Sequence, residues 1–115
     1  MPCRMRIVLA SVIVVGAIAA SGIAEAAEVM GAGIDSCGRW TSDRTDPHSP
    51  PALQDEQWVL GYLSAVGQMS LTKYDPLGGT DAFAVWAWVD NFCRSNPLSH
   101  IADAAETFFL AHPHP

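Results

Sequence analysis

Apolar residues in the second half of this chain recur every three to four positions, the period of an α-helix packed on one face. Trp58, Tyr62, Ala65 or Val66, and Met69 predict a helix that opens at Asp55, or earlier at Pro51 or Ala52. Gly61 and Gly67 interrupt it, each costing up to about 1 kcal/mol relative to alanine. A glycine kept inside a helix suggests close approach of a neighbour, so a tight helix crossing is expected at Gly61. From Thr80, with Asp81 in the first turn, Ala82, Val85, Trp86, Val89, Phe92 and Cys93 form a second stripe. Phe83 and Trp88 lie away from its centre, so this helix is apolar over most of its circumference and should be central. It stops at Ser95-Asn96-Pro97. A further helix opens at Ser99 and presents Ile101, Ala104, Ala105 and Phe108, with Phe109 beside them.

Upstream the pattern weakens. Asp35 or Ser36 can cap a short helix that brings Cys37, Trp40 and Arg44 to one side. Gly38, Thr41 and Ser42 make that helix weak alone, so packing must hold it. Residues 27–34, with Gly31 and Gly33, show no period and read as a loose arm. Residues 45–53 read as an exposed loop, because Pro47, Pro50 and Pro51 remove backbone donors and restrict their neighbours. No segment alternates as a strand would. The expectation is an all-α fold, a small four-helix domain, with Trp40, Trp58, Gly61, Tyr62, Trp86, Val89, Phe92 and Phe108 in its core.

The first residues belong to a different category. Arg4 and Arg6 precede an uncharged run from Ile7 to Ala20, and Ala24-Glu25-Ala26 fits the small-x-small rule for signal peptidase. Residues 1–26 are therefore expected to be a cleaved signal peptide, with Ala20 and Ala27 as neighbouring cut points. A retained anchor is the alternative, but the run is short and rich in Ala, Gly and Ser for a span of about 20 apolar residues. Residues 27–115 then form one domain, exported to the periplasm or secreted.

Charge and cysteines narrow the picture. The chain holds six Lys and Arg against twelve Asp and Glu. Loss of Arg4, Arg6 and Glu25 with the leader leaves four against eleven, a formal charge of −7. Without a basic patch, nucleic acid and anionic membrane surfaces are poor partners. Asp35, Asp43, Asp46, Asp55 and Glu56 read as a solvated acidic surface, since the spacing of a calcium loop is missing. After export, Cys37 and Cys93 are the two cysteines left and admit one intramolecular pairing. The chain-entropy model puts closure of so long a loop at about 4 kcal/mol.

Nothing in the pattern assembles a catalyst, and the expectation is a non-enzyme without metal or cofactor. His48 lies in the proline-rich loop, His100 opens a helix, and His112 and His114 lie in a terminal tail. A catalytic histidine needs a third group to orient it. Two tail imidazoles make an incomplete metal site. The aromatics suggest binding instead. Trp86 and Trp88, two apart on a helix, point roughly 200° apart and cannot face the same core. Trp88, with Phe83, is the candidate partner surface. Cover by a terminal segment is the competing explanation for Trp88.

Three stretches together carry a resemblance: Cys37-Gly-Arg-Trp40, Trp58-Val-Leu-Gly-Tyr62-Leu, and Trp88-Val-Asp-Asn-Phe92-Cys93 running through Pro97 into Ile101-Ala-Asp-Ala-Ala105. The layout resembles the HdeA/HdeB-like small periplasmic proteins. It also resembles Rap1a/Tai-type immunity proteins, with His112-Pro113 at the matching end. The first resemblance implies an acid-stress chaperone, dimeric at neutral pH. The second implies an inhibitor of one secreted toxin. The partner expected is thus a protein: a client, a toxin or a second copy of the chain. Eleven carboxylates give the acid reading a physical basis, since below about pH 3 the charge would swing from −7 to about +8.

Overall fold

The computed structural model describes residues 27–70 and 74–113. The expected signal peptide, residues 1–26, lies outside the described residues. Four α-helices follow a single 3-10 turn, Gly31–Ile34: α1 (Cys37–Asp43), α2 (Pro50–Met69), α3 (Ala82–Ser95) and α4 (Ile101–Ala111). No strand occurs among the described residues; one isolated bridge links Ser36 and His100. The all-α, four-helix expectation holds. Cys37 and Cys93 are joined as a disulfide, with Cα atoms 4.7 Å apart. No helix among the described residues is long and apolar enough to cross a membrane.

Local chemistry sets each helix start. Ser36 Oγ accepts from the Arg39 N–H at 3.1 Å and caps α1. Asp81 is not in the first turn of α3 but is its cap, accepting from the Ala84 N–H at 2.9 Å. α4 begins two residues later than expected, at Ile101, where the Asp103 carboxylate accepts the His100 N–H at 2.7 Å. The first N–H groups of α1, orphaned within any helix, donate across the fold instead. Cys37 donates to Ser99 O at 2.7 Å and Gly38 to Pro97 O at 2.9 Å, while Ile101 of α4 donates back to Asp35 O at 2.9 Å. The disulfide therefore closes beside a hydrogen-bonded joint between the start of α1 and the α3–α4 turn.

The proline-rich loop is shorter than expected. Pro50 and Pro51 form the first turn of α2 behind the cap Ser49, so 50–53 are helical. Proline is barred from a helix interior but suits its first positions, where its missing N–H has no intrahelical partner. Asp55, expected to cap, lies within α2 and is buried.

The core comprises Cys37, Trp40, Val59, Leu63, Val85, Val89, Cys93, Ile101, Ala104, Ala105 and Phe108. Trp58, Tyr62, Trp86 and Phe92 pack at its edge, half-buried. The buried stripe of α2 differs from the expected one. Ala52, Asp55, Glu56, Val59 and Leu63 face inward, whereas Met69 is exposed. Nor is Gly61 a crossing point, since it is exposed and a Cβ there would meet nothing within 4 Å. The close approach lies upstream. At Gly33 a Cβ would sit 2.2 Å from the Trp58 ring, and Trp58 Nε1–H donates to Met30 O at 2.9 Å. Residues 30–34 are thus a packed strap and not a loose arm.

The two glycines should respond oppositely to the same change. Gly33→Ala forces the strap off Trp58 and should cost roughly 1–3 kcal/mol, the range of overpacking. Gly61→Ala adds a methyl in open space and should stabilise by up to about 1 kcal/mol. Urea denaturation of both variants checks the pair.

Candidate functional site

The short α1 brings Trp40 and Arg44 to the same side as Cys37, as the spacing requires. That side meets α3 at Asp90 and α2 at Glu56. Arg44 grips Asp90 with a two-pronged contact, Nε to Oδ1 at 2.7 Å and Nη2 to Oδ2 at 2.8 Å. Its Nη1 donates to Glu56 Oε1. Trp40 Nε1–H donates to the same Asp90 Oδ1 at 2.7 Å. The guanidinium also lies 5.4 Å from the centre of the Trp40 ring, within cation–π reach. One planar cation therefore holds three helices at a fixed angle, using the fork geometry that distinguishes arginine from lysine.

Glu56 is 3% exposed, and its neighbour Asp55 likewise. Both depart from the solvated acidic surface expected of them. Their surroundings differ. Glu56 has Arg44 as its counter-charge, whereas Asp55 Oδ2 is buried without a hydrogen-bond partner. Burial, followed by the negative charges of Asp43 and Asp35, pushes the Asp55 carboxyl up to about 6; Arg39 opposes this and Glu56 adds to it. Arg39 is itself paired with Asp43 one turn away, at 2.8 Å.

Above the Arg44 junction a cleft of about 490 Å³ opens between the α1–α2 loop and α3. Pro47, Leu53, Phe83, Trp86 and Ala87 form its apolar lining, with Arg44, His48 and Glu56 as its polar groups. Phe83 is 77% exposed and stands edge-on to Trp86, ring centres 5.3 Å apart. Trp86 Nε1 is covered and has no hydrogen-bond partner.

The two residues expected to share a partner surface are separated. Phe83 belongs to the cleft, but Trp88 packs into α4. Trp88 stacks on Phe92 at 5.7 Å and meets Phe108 edge-on at 5.3 Å and His112 at 5.8 Å. Cover by the terminal helix thus accounts for Trp88, which is half-buried. Trp86 takes its place beside Phe83. His112 is likewise no tail residue, since its ring stacks on Phe108 at 4.2 Å and its Nδ1 lies 2.8 Å from Phe108 O. His114 lies outside the described residues. His48 is exposed on the cleft wall, and His100 lies beside Asp103 at 3.4 Å. Among the described residues no three His, Cys, Asp or Glu side chains are grouped to hold a metal ion. No protein-family model, curated protein or solved structure matches the chain.

Sequence reasoning missed Glu56, Asp90 and Leu53. A signal for the first was present: Ala52, Glu56, Val59 and Leu63 follow helical spacing, so Glu56 lies on an otherwise apolar stripe and needs a buried cation.

Two consequences are measurable. Arg44→Met leaves Glu56 buried and unpaired, which should cost roughly 3–5 kcal/mol, and adding Glu56→Leu should recover part of the loss. Asp55 acts in the other direction. Its folded value lies above the ordinary 3.8, so between about pH 4 and 6 the folded chain keeps a proton that the unfolded chain has released. This contribution is full below pH 4 and lost as pH rises through 6. Asp55→Asn should therefore gain stability over the parent at pH 7.5, and gain less or nothing at pH 4.5. Urea denaturation at both values tests this; an equal gain at both would assign the effect to packing.

Proposed function

We propose that this is a small, non-enzymatic helical binding protein of the periplasm or the extracellular space, which engages a protein partner through the Phe83 cleft. The observation that carries the reading is a large aromatic side chain left exposed on a firmly held helix. An apolar ring in water loses about 25 cal/mol for each Å² that a partner could cover. Exposed apolar groups at the edge of a preformed cleft are the usual anchors of protein recognition. The disulfide supports an oxidising compartment, in line with the leader expected from the sequence.

Within this reading two roles remain distinct. An inhibitor or immunity protein would use the cleft as it stands in the folded state. An acid-stress chaperone would need strong acid to expose more apolar surface. The Arg44 junction offers a route for that. Ion pairs tie α2 to α1 and α1 to α3 there, while the disulfide holds α1 on α3 covalently.

A photo-crosslinking amino acid at position 83 in the producing cell should give a discrete protein adduct, and the same group at exposed Ser64 should not. No adduct at 83, or the same spread from both positions, overturns the reading. Light scattering of an acid-labile enzyme at about pH 2–3, where carboxylates are neutral, separates the roles. Suppression at equimolar protein supports the chaperone; unimpeded aggregation leaves the inhibitor.

A further inference from the structure

We propose that the Phe83 cleft takes a cationic, apolar peptide segment of its partner. An apolar side chain would sit between Leu53 and Phe83, with a lysine or arginine directed toward the carboxylates around them. The inference rests on the binding-protein reading above and adds the chemistry of the occupant.

The shape sets the first requirement. A cleft of about 490 Å³ with Pro47, Leu53, Phe83 and Trp86 on its walls has room for a few side chains. Its edges are firm. Phe83 is the second residue of α3, just inside the Asp81 cap, and Leu53 is in the first turns of α2 behind the Ser49 cap. A site held this way loses little conformational entropy when it is filled.

Charge sets the second requirement. Arg44 is the permanent cation of the lining, and it is shared between two carboxylates, Glu56 and Asp90. The junction therefore carries a net charge of −1 with all three groups ionised. Asp46, next to Pro47, and Asp81, two residues before Phe83, are exposed and add two more negative charges beside the cleft. A basic partner is drawn to such a surface and a like-charged one repelled. This argues against a second copy, since like-charged acidic chains repel, the full sequence carrying a formal charge of −6. The carboxylates within reach of an approaching guanidinium or ammonium are the exposed Asp46 and Asp81 at the rim, since Glu56 is buried against Arg44, and the Phe83 face offers it a cation–π contact.

The test uses the purified, oxidised protein and three synthetic peptides: one of alternating lysine and leucine or phenylalanine, its glutamate counterpart, and a lysine-only peptide. Binding is read by tryptophan fluorescence and by the indole N–H resonance of Trp86. The lysine–apolar peptide should bind, and the other two should bind at least about tenfold more weakly. Phe83→Ala should raise its dissociation constant at least about tenfold, as removal of a central anchor does. Asp46→Asn/Asp81→Asn keeps a carbonyl acceptor at both positions and should weaken binding most at low salt. Circular dichroism and urea midpoints confirm that the variants are folded. Equal binding of the glutamate peptide overturns the charge requirement, and unchanged affinity in Phe83→Ala overturns the site. Sedimentation showing a dimer that Phe83→Ala abolishes makes a second copy the occupant and overturns the proposal. If no peptide binds while the crosslinker at 83 still captures a partner, this inference fails and the binding reading stands.

Discussion

One guanidinium decides how the first three helices meet. A seven-residue helix such as α1 is far below the length that is stable alone in water, so its position has to be imposed. Two constraints impose it from opposite ends. The disulfide fixes Cys37 to the last turn of α3, and Arg44, just past the end of α1, reaches both Asp90 of α3 and Glu56 of α2. The covalent tie limits distance but leaves rotation about the bond. The two-pronged Arg44–Asp90 contact removes that rotation, because a planar donor pair must align with a planar carboxylate. Trp40, fully buried between the two ties, is then held by an N–H that finds its acceptor in Asp90. Buried ion pairs often add little net stability, because desolvation offsets their attraction. Their value here is geometric, since an apolar replacement would pack without fixing the angle that opens the cleft.

Parts of this were legible in the sequence. Once residues 1–26 are set aside, the two remaining cysteines leave one pairing, and α3 declares itself by an apolar surface too wide for an edge helix. Pro97 marks its end unambiguously. The readings that failed share a cause: each took a residue's average behaviour for its behaviour at one position. Pro50 and Pro51 suggest a loop because proline breaks helices, but at the first turn the missing donor costs nothing. Gly61 suggests a crossing, yet the fold needs its small residue at Gly33, in a segment with no period to announce it. In α2 the aromatics Trp58 and Tyr62 drew the expected stripe about one position off. The true stripe runs through Asp55 and Glu56, two residues normally assigned to solvent.

The candidate site was half visible for a related reason. Periodicity correctly separated Phe83 from the centre of the α3 stripe, and it correctly set Trp86 and Trp88 on different sides. It could not say which tryptophan would be covered, because that depends on where α4 returns. α4 packs with Phe108 against Trp88, and His112 closes over the same ring. The other side of α3 therefore faces the α1–α2 loop, where Trp86 and Phe83 meet Pro47 and Leu53. The cleft is assembled from three separate segments, brought together by the disulfide and by the Arg44 contacts with Glu56 and Asp90.

Adjacent Asp55 and Glu56 also give the fold a particular response to acid. Glu56 has Arg44 as its counter-charge. Asp55 has no such balance, and its carboxyl is held up to about 6 by burial and by Asp43 and Asp35. Mild acid therefore relieves a buried charge before it reaches the ordinary carboxylate range. On these groups the fold tightens on moving from neutral to mildly acidic conditions.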